Sequence, residues 1–177
     1  MLMPRSIALV LALVFAGLLV GCTPDSSPES SSERRAIAPE DAIPFDEEGR
    51  LVILQDSDTT VTLQIEIAET DSARERGMMQ RTGFPDATSG MLFPFPEEAP
   101  RSFWMANTPV ALDLIFADAD SQIVSIAKYA TPYSDESIPS DAPAKYVLET
   151  PAGFADSYGL VEGDRLRWHR TDATQGR

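Results

Sequence analysis

Apolar residues recur at every second position from Val61 to Ile67, where Val61, Leu63, Ile65 and Ile67 alternate with Thr62, Gln64 and Glu66. That period of two is the pattern of a strand buried on one face. Leu51 to Leu54 is a shorter partner run, and Asp56-Ser57-Asp58 between the two supplies turn chemistry, which predicts a hairpin. Thr70 then offers an N-cap oxygen, Asp71 and Glu75 place negative charge in the first turns, and Gly77 can close the segment in a left-handed conformation. A helix of about two turns is expected there.

Three strand-sized apolar runs follow, Met91 to Phe95, Phe103 to Met105 and Val110 to Ala117. The turn Asp118-Ala119-Asp120-Ser121 leads into Ile123 to Tyr129, with Val124 and Ile126 expected on one face. Thr131 to Pro143 is a thirteen-residue loop, long enough in a compact domain to act as a lid. Ala144 to Glu149 is a strand, Ala152 to Tyr158 a short helix ended by Gly159, and Arg165 to His169 a last strand after Glu162-Gly163-Asp164. Strands outnumber helices and do not alternate with them, so the expected class is α+β: a single compact domain with a mainly antiparallel sheet and two short helices. A barrel-like closure is one option for that sheet. No repeat of 20 to 50 residues occurs, which excludes solenoids and propellers.

Ahead of this domain the pattern changes character. Ile7 to Val20 is almost continuously apolar, preceded by Arg5 and free of acids, which is how a secretory signal is built. The run ends in Leu19-Val20-Gly21-Cys22, which resembles the lipobox of bacterial lipoproteins, where the Cys is diacylated before cleavage. Residues 1–21 are therefore read as a lipoprotein signal peptide and Cys22 as the lipid attachment site, more than one acyl chain being needed for stable anchoring. From Cys22 to Gly49 the chain is dense in Ser, Pro, Asp and Glu and reads as a disordered tether, with a coil reach of about 25–30 Å. The globular domain is placed at 50–170 and a disordered tail at 171–177. The expected location is the cell envelope, extracytoplasmic and membrane-anchored.

Composition narrows the partners. Twenty-eight acidic residues against fourteen basic ones give a net charge of −14, a field that repels phosphate backbones and argues against nucleic acid. Only Lys128 and Lys145 are lysines, so the acidic surface is arginine-biased, as a solvated face or a high-salt habitat would give. The one Cys excludes an intramolecular disulfide and a cysteine-paired zinc site. No cofactor is called for.

No complete catalytic motif is present, which turns attention to isolated groups. Met78, Met79, Met91 and Met105 follow the signal segment; thioethers are soft ligands suited to Cu(I), and they equally fill irregular cores. His169 reads as an ordinary exposed histidine. Between Phe103 and Asp113, Asn107, Thr108 and Asp113 interrupt an apolar stretch. In one reading Asn107 and Thr108 form a turn and Asp113 bonds backbone amides. In the other they line a pocket floored by Trp104, with Asn107, Asp113 and Glu149 as orienting groups and Tyr133 on the lid loop. Asp113 and Glu149 could also serve as acid and base on a glycosidic bond, if their separation suits it.

Taken together, Gly77-Met78-Met79-Gln80-Arg81, Gly90-Met91-Leu92-Phe93-Pro94-Phe95, Phe103-Trp104-Met105-Ala106-Asn107-Thr108, Leu112-Asp113, Tyr146-Val147-Leu148-Glu149 and Gly163-Asp164 resemble the family catalogued as domain of unknown function 192. The resemblance spans about residues 61–169. It implies a compact single domain, often behind a signal or lipoprotein leader, and implies no reaction. Trp104, Met105, Asn107, Thr108, Asp113 and Glu149 are the positions of interest it marks. Ala106 stands where a basic residue is usual, Ala111 where proline is usual and Met78 where leucine is usual, and the first departure weakens the case for an anionic ligand. The expected function is a non-enzymatic binding or accessory module for a saccharide or peptide. A hydrolase, a Met-rich Cu(I)-binding protein and a docking module of an envelope complex are the alternatives.

Overall fold

The structure, a computed structural model, describes residues 43–171. The signal segment, Cys22, the tether up to residue 42 and the tail from residue 172 lie outside the described residues. The elements run β1 (Gly49–Gln55), β2 (Asp58–Ile67), α1 (Asp71–Arg76), β3 (Ser89–Ala99), β4 (Ser102–Phe103), β5 (Leu112–Ala117), β6 (Ile123–Ala130), β7 (Ile138–Pro139), β8 (Ala144–Pro151), α2 (Phe154–Ser157) and β9 (Arg165–Arg170). Pro44 and Phe45 already touch the domain, the one through its carbonyl on Arg81 and the other edge-on to Phe84.

Seven strands form one sheet in the order β6-β5-β8-β3-β2-β1-β9. All neighbouring pairs are antiparallel except β2 and β3. The β1–β2 hairpin turns at Asp56 and Ser57, both at positive φ, the conformation whose twist matches a two-residue hairpin. A parallel pair cannot be joined by a hairpin, so α1 and the residues after it make the crossover from β2 to β3. Thr70 caps α1 by accepting from the Ala73 amide, as its sequence predicts. Gly77 ends α1 at φ 46° and ψ −130°, outside the left-handed helical region expected of it. The sheet is open: its edge strands β6 and β9 do not pair as a ladder, and the segments leading into them are joined by the isolated bridge Gln122↔Arg165 and a few backbone bonds such as Leu166 N–H to Ser121 O.

Alternation along the central strands sorts their side chains onto two faces. Ile65, Leu92, Ile115 and Leu148 join α2 in one core, with Leu51, Ile53 and Leu166. Met91, Phe93, Leu114, Phe116 and Val147 form the second core on the opposite face, together with Met78 and Met105. β6 departs from strict alternation through two irregularities in its pairing with β5, so Val124 and Ile126 pack in different cores instead of sharing a face. The run expected as a strand at Phe103 to Met105 is reduced to Ser102–Phe103, which pairs with β7 inside the predicted loop.

Candidate functional site

The second core is covered on its outer side by three connecting segments, and a cleft of about 490 Å³ opens where they meet. The segments are laced by backbone bonds: the Gln80 amide donates to Asn107 O, Met105 to Ser134 O and Tyr133 to Thr108 O. Asn107, Gln80 and Tyr133 all sit at positive φ to make these turns. α1 and the residues after it supply Arg74, Gly77 and Met78 to the cleft; Phe93 and Phe95 come from β3, Phe103, Trp104 and Thr108 from the 102–108 segment, and Asp135 and Ser137 from the long loop.

Glu149 lines the cleft from β8 and is 5% exposed. Its Oε2 is enclosed and has no hydrogen-bond partner. Burial pushes its carboxyl up to about 8, against the pull of the Arg81 guanidinium, so it is mainly neutral at pH 7. The crossover packs close above it: a Cβ on Gly77 would stand 3.2 Å from the Phe93 ring and 3.7 Å from Glu149 Oε2, at a φ that already favours glycine. Arg81 itself is buried in a bidentate pair with Glu66, at 2.6 and 2.8 Å, and also donates to Pro44 O. Its Nε has no partner.

The rings form the walls. Phe103 stands edge-on to Phe93, Phe95 and Phe116, while the Arg101 guanidinium lies 3.8 Å over Phe95 and Arg74 5.3 Å from the same ring. Trp104 is 57% exposed at the mouth. Arg74 is held by Asp71, Pro94 O and Glu69 O.

Of the residues singled out from sequence, Trp104, Thr108, Glu149, Met78 and Met79 come together at the cleft. Asn107, Tyr133, Met91, Met105 and Asp113 are not among its lining. Asn107 forms the expected turn. Tyr133 stands on a loop fastened by β7, by the Ser102–Ser137 hydroxyl pair at 2.8 Å and by Ser140 and Arg101. Met91 and Met105 are buried core residues, which leaves two of the four thioethers at the cleft. Among the described residues no group of three or more His, Cys, Asp or Glu could hold a metal ion.

Asp113 is fully buried, with Oδ1 accepting from the Tyr129 amide and Oδ2 from the amides of Gly153 and Ala155. It pairs across the ladder with Thr150, whereas Glu149 pairs with Leu114. The two carboxylates therefore point to opposite faces of the sheet, and the structure does not bring them together as an acid–base pair. Sequence reasoning missed the roles of Phe93, Phe95, Phe103 and Gly77 at the cleft and of Arg81 beneath it. The one signal for Arg81 was its place in the Gly77–Arg81 motif.

This fold and this chain have relatives. The family model for domain of unknown function 192 (DUF192), described as "Uncharacterized ACR", matches residues 52–168. The chain belongs to the DUF192 family. A UPF0127 protein of Thermococcus sibiricus is 31% identical over 109 residues, covering 60% of this chain and 67% of that one. Two crystal structures are similar to this chain in sequence and fold. One, from Sinorhizobium meliloti and provisionally described as a transcription regulator, is 36% identical with a TM-score of 0.65 over 71% of this chain and 96% of its own. The other, a protein of unknown function from Novosphingobium aromaticivorans, is 31% identical with a TM-score of 0.64 over 67% and 84%.

Proposed function

We propose that this DUF192 domain is a non-enzymatic small-ligand-binding module, carried on an extracytoplasmic membrane surface by an acylated Cys22. The observation that carries the binding reading is Glu149. A buried carboxyl oxygen without a hydrogen-bond partner is costly to the fold, and the group that carries it lines an aromatic-walled cleft, the kind of site where a few polar groups orient a ligand. Trp104 at the mouth offers a face for a neutral ligand of saccharide or peptide size. Its polar contacts are Glu149 and Thr108 in place of Asn107 and Asp113. A net charge of −14 opposes binding to nucleic acid, so a regulator's role on DNA does not suit this chain.

A fragment library screened against the full-length protein by NMR tests the site. Hits are expected to shift the Trp104 indole N–H, to leave that of Trp168 in place, and to vanish in Glu149→Met. Hits confined to other surfaces, or none at millimolar concentration, would overturn the reading. For the anchor, mass spectrometry of the membrane-extracted protein is expected to show cleavage before a diacylated Cys22; an intact Met1 with an unmodified Cys22 would refute it.

A further inference from the structure

We infer that a second site, at the turn end of the β1–β2 hairpin, takes a small zwitterion: a phosphoryl group held by Arg165 and Arg167 and joined by a short chain to an ammonium held by Asp56. Leu54, Asp56, Ser57, Gly163, Arg165 and Arg167 line a concavity of about 390 Å³ there, which shares no lining residue with the cleft at Glu149. Arg165 and Arg167 are two residues apart on β9, so both side chains leave the sheet on one face, with their Cα atoms about 7 Å apart. Leu166 between them packs in the core with α2. Leu54 pairs with Arg165 across the β1–β9 ladder, and the hairpin turn that follows brings Asp56 and Ser57 to the same end. Gln55 fastens that end, its Nε2 donating to Gly159 O at 3.0 Å and to Asp164 Oδ2 at 2.9 Å, so the two walls are tied to each other.

The charges on these walls do not neutralise one another. Among the described residues, Arg165 and Arg167 have no carboxylate within 4.0 Å and Asp56 has no basic group within that distance, although the chain carries two acids for each base. All three side chains are exposed. A guanidinium keeps its charge at any working pH and presents a planar fork of donors that fits phosphoryl oxygens. Two of them side by side suit a phosphate monoester, which carries up to about two negative charges at neutral pH. Asp56 in the same lining opposes a bare anion, and the two arginines oppose a bare cation. A molecule bearing both charges satisfies all three groups, with the Ser57 hydroxyl as a further donor. A soluble aminoalkyl phosphate and a lipid headgroup share this chemistry. The headgroup phosphate is a diester with a single negative charge, so the count of charges on the walls favours the soluble monoester.

Phosphoethanolamine, inorganic phosphate and ethanolamine divide the zwitterion into its parts. They are titrated into the full-length protein at pH 7 and low salt and followed by NMR on the backbone amides of Ser57 and Gly163. Phosphoethanolamine is expected to bind about fivefold more tightly than phosphate, the worth of one ammonium–carboxylate pair near a surface, and ethanolamine to leave both amides in place. Asp56→Asn, which a position at positive φ accepts, should bring phosphoethanolamine down to the affinity of phosphate. Arg167→Gln should abolish the binding of both while the amides away from β9 keep their positions. Glycerophosphoethanolamine carries the diester of a lipid headgroup: weaker binding than phosphoethanolamine supports the site with a soluble monoester as its ligand, and tighter binding supports it with the headgroup in that place. Phosphate binding as tightly as phosphoethanolamine, an Asp56→Asn variant that keeps the full preference, or unmoved Ser57 and Gly163 amides at millimolar concentration would overturn the zwitterion site.

Discussion

Asp113 and Glu149 lie on adjacent strands, both buried in the domain, and the fold treats them in opposite ways. Asp113 faces the core shared with α2, and its two oxygens take three backbone amides. Those bonds fix two awkward pieces of backbone at once, the positive φ of Tyr129 in an irregular stretch of β6 and the start of α2, whose N-cap Gly153 has no side chain to give. Glu149 faces the other core and has an enclosed oxygen that nothing bonds. Burial alone therefore does not separate a structural acid from a binding one; the difference lies in whether the surrounding backbone has already used the oxygens.

The contrast can be broken most directly at Asp113. Asp113→Ala leaves up to three amides without their acceptor and is expected to cost at least about 4 kcal/mol in denaturant unfolding; a loss under about 1 kcal/mol would mean that the knot holds nothing. Glu149→Gln should act with the opposite sign. The Glu149 carboxyl titrates higher in the folded protein than in the unfolded chain, so the folded state holds the extra proton between the ordinary carboxylate range and about pH 8, and stability falls as pH rises through that window. The variant lacks this loss. Its stability relative to the parent should rise from pH 5 to pH 8 by on the order of 4 kcal/mol and level off above, and a pH-independent difference would place Glu149 in contact with water or a partner. The smallest effect sharpens the comparison: Trp104→Ala at the exposed mouth should change stability by less than about 0.5 kcal/mol, measurable as a near-constant Tm, while abolishing fragment binding at the cleft.

Much of the fold was legible because its signals are local. The alternation at Val61–Ile67, the turn at Asp56-Ser57 and the cap at Thr70 each depend on residues within one turn or one hairpin, and each is found. The same holds for the Asn107 turn. The strand at Phe103 to Met105 failed because pairing, not apolar content, makes a strand, and only Ser102 and Phe103 find a partner in β7. The faces of β6 failed because a bulge shifts every residue beyond it, which no periodicity records. At the site, Glu149 was visible as a polar residue closing an apolar strand, yet its mate was misjudged. Register alone decides that Asp113 stands opposite Thr150 and Glu149 opposite Leu114, one residue apart and so on opposite faces. Arg81 and Glu66 lie fifteen residues apart in sequence, and nothing short of the parallel crossover brings them into one buried pair.

The pairing of β1 with β9 joins Gly49 to Arg170, the two ends of the folded domain. Contacts so distant along the chain form slowly. During synthesis the β1–β2 hairpin can assemble early, but it waits beside an empty sheet edge until the final strand arrives, and Leu51 and Ile53 keep their cover from Leu166 pending until then. A polypeptide arranged in this way stays incompletely folded for as long as its last residues are withheld.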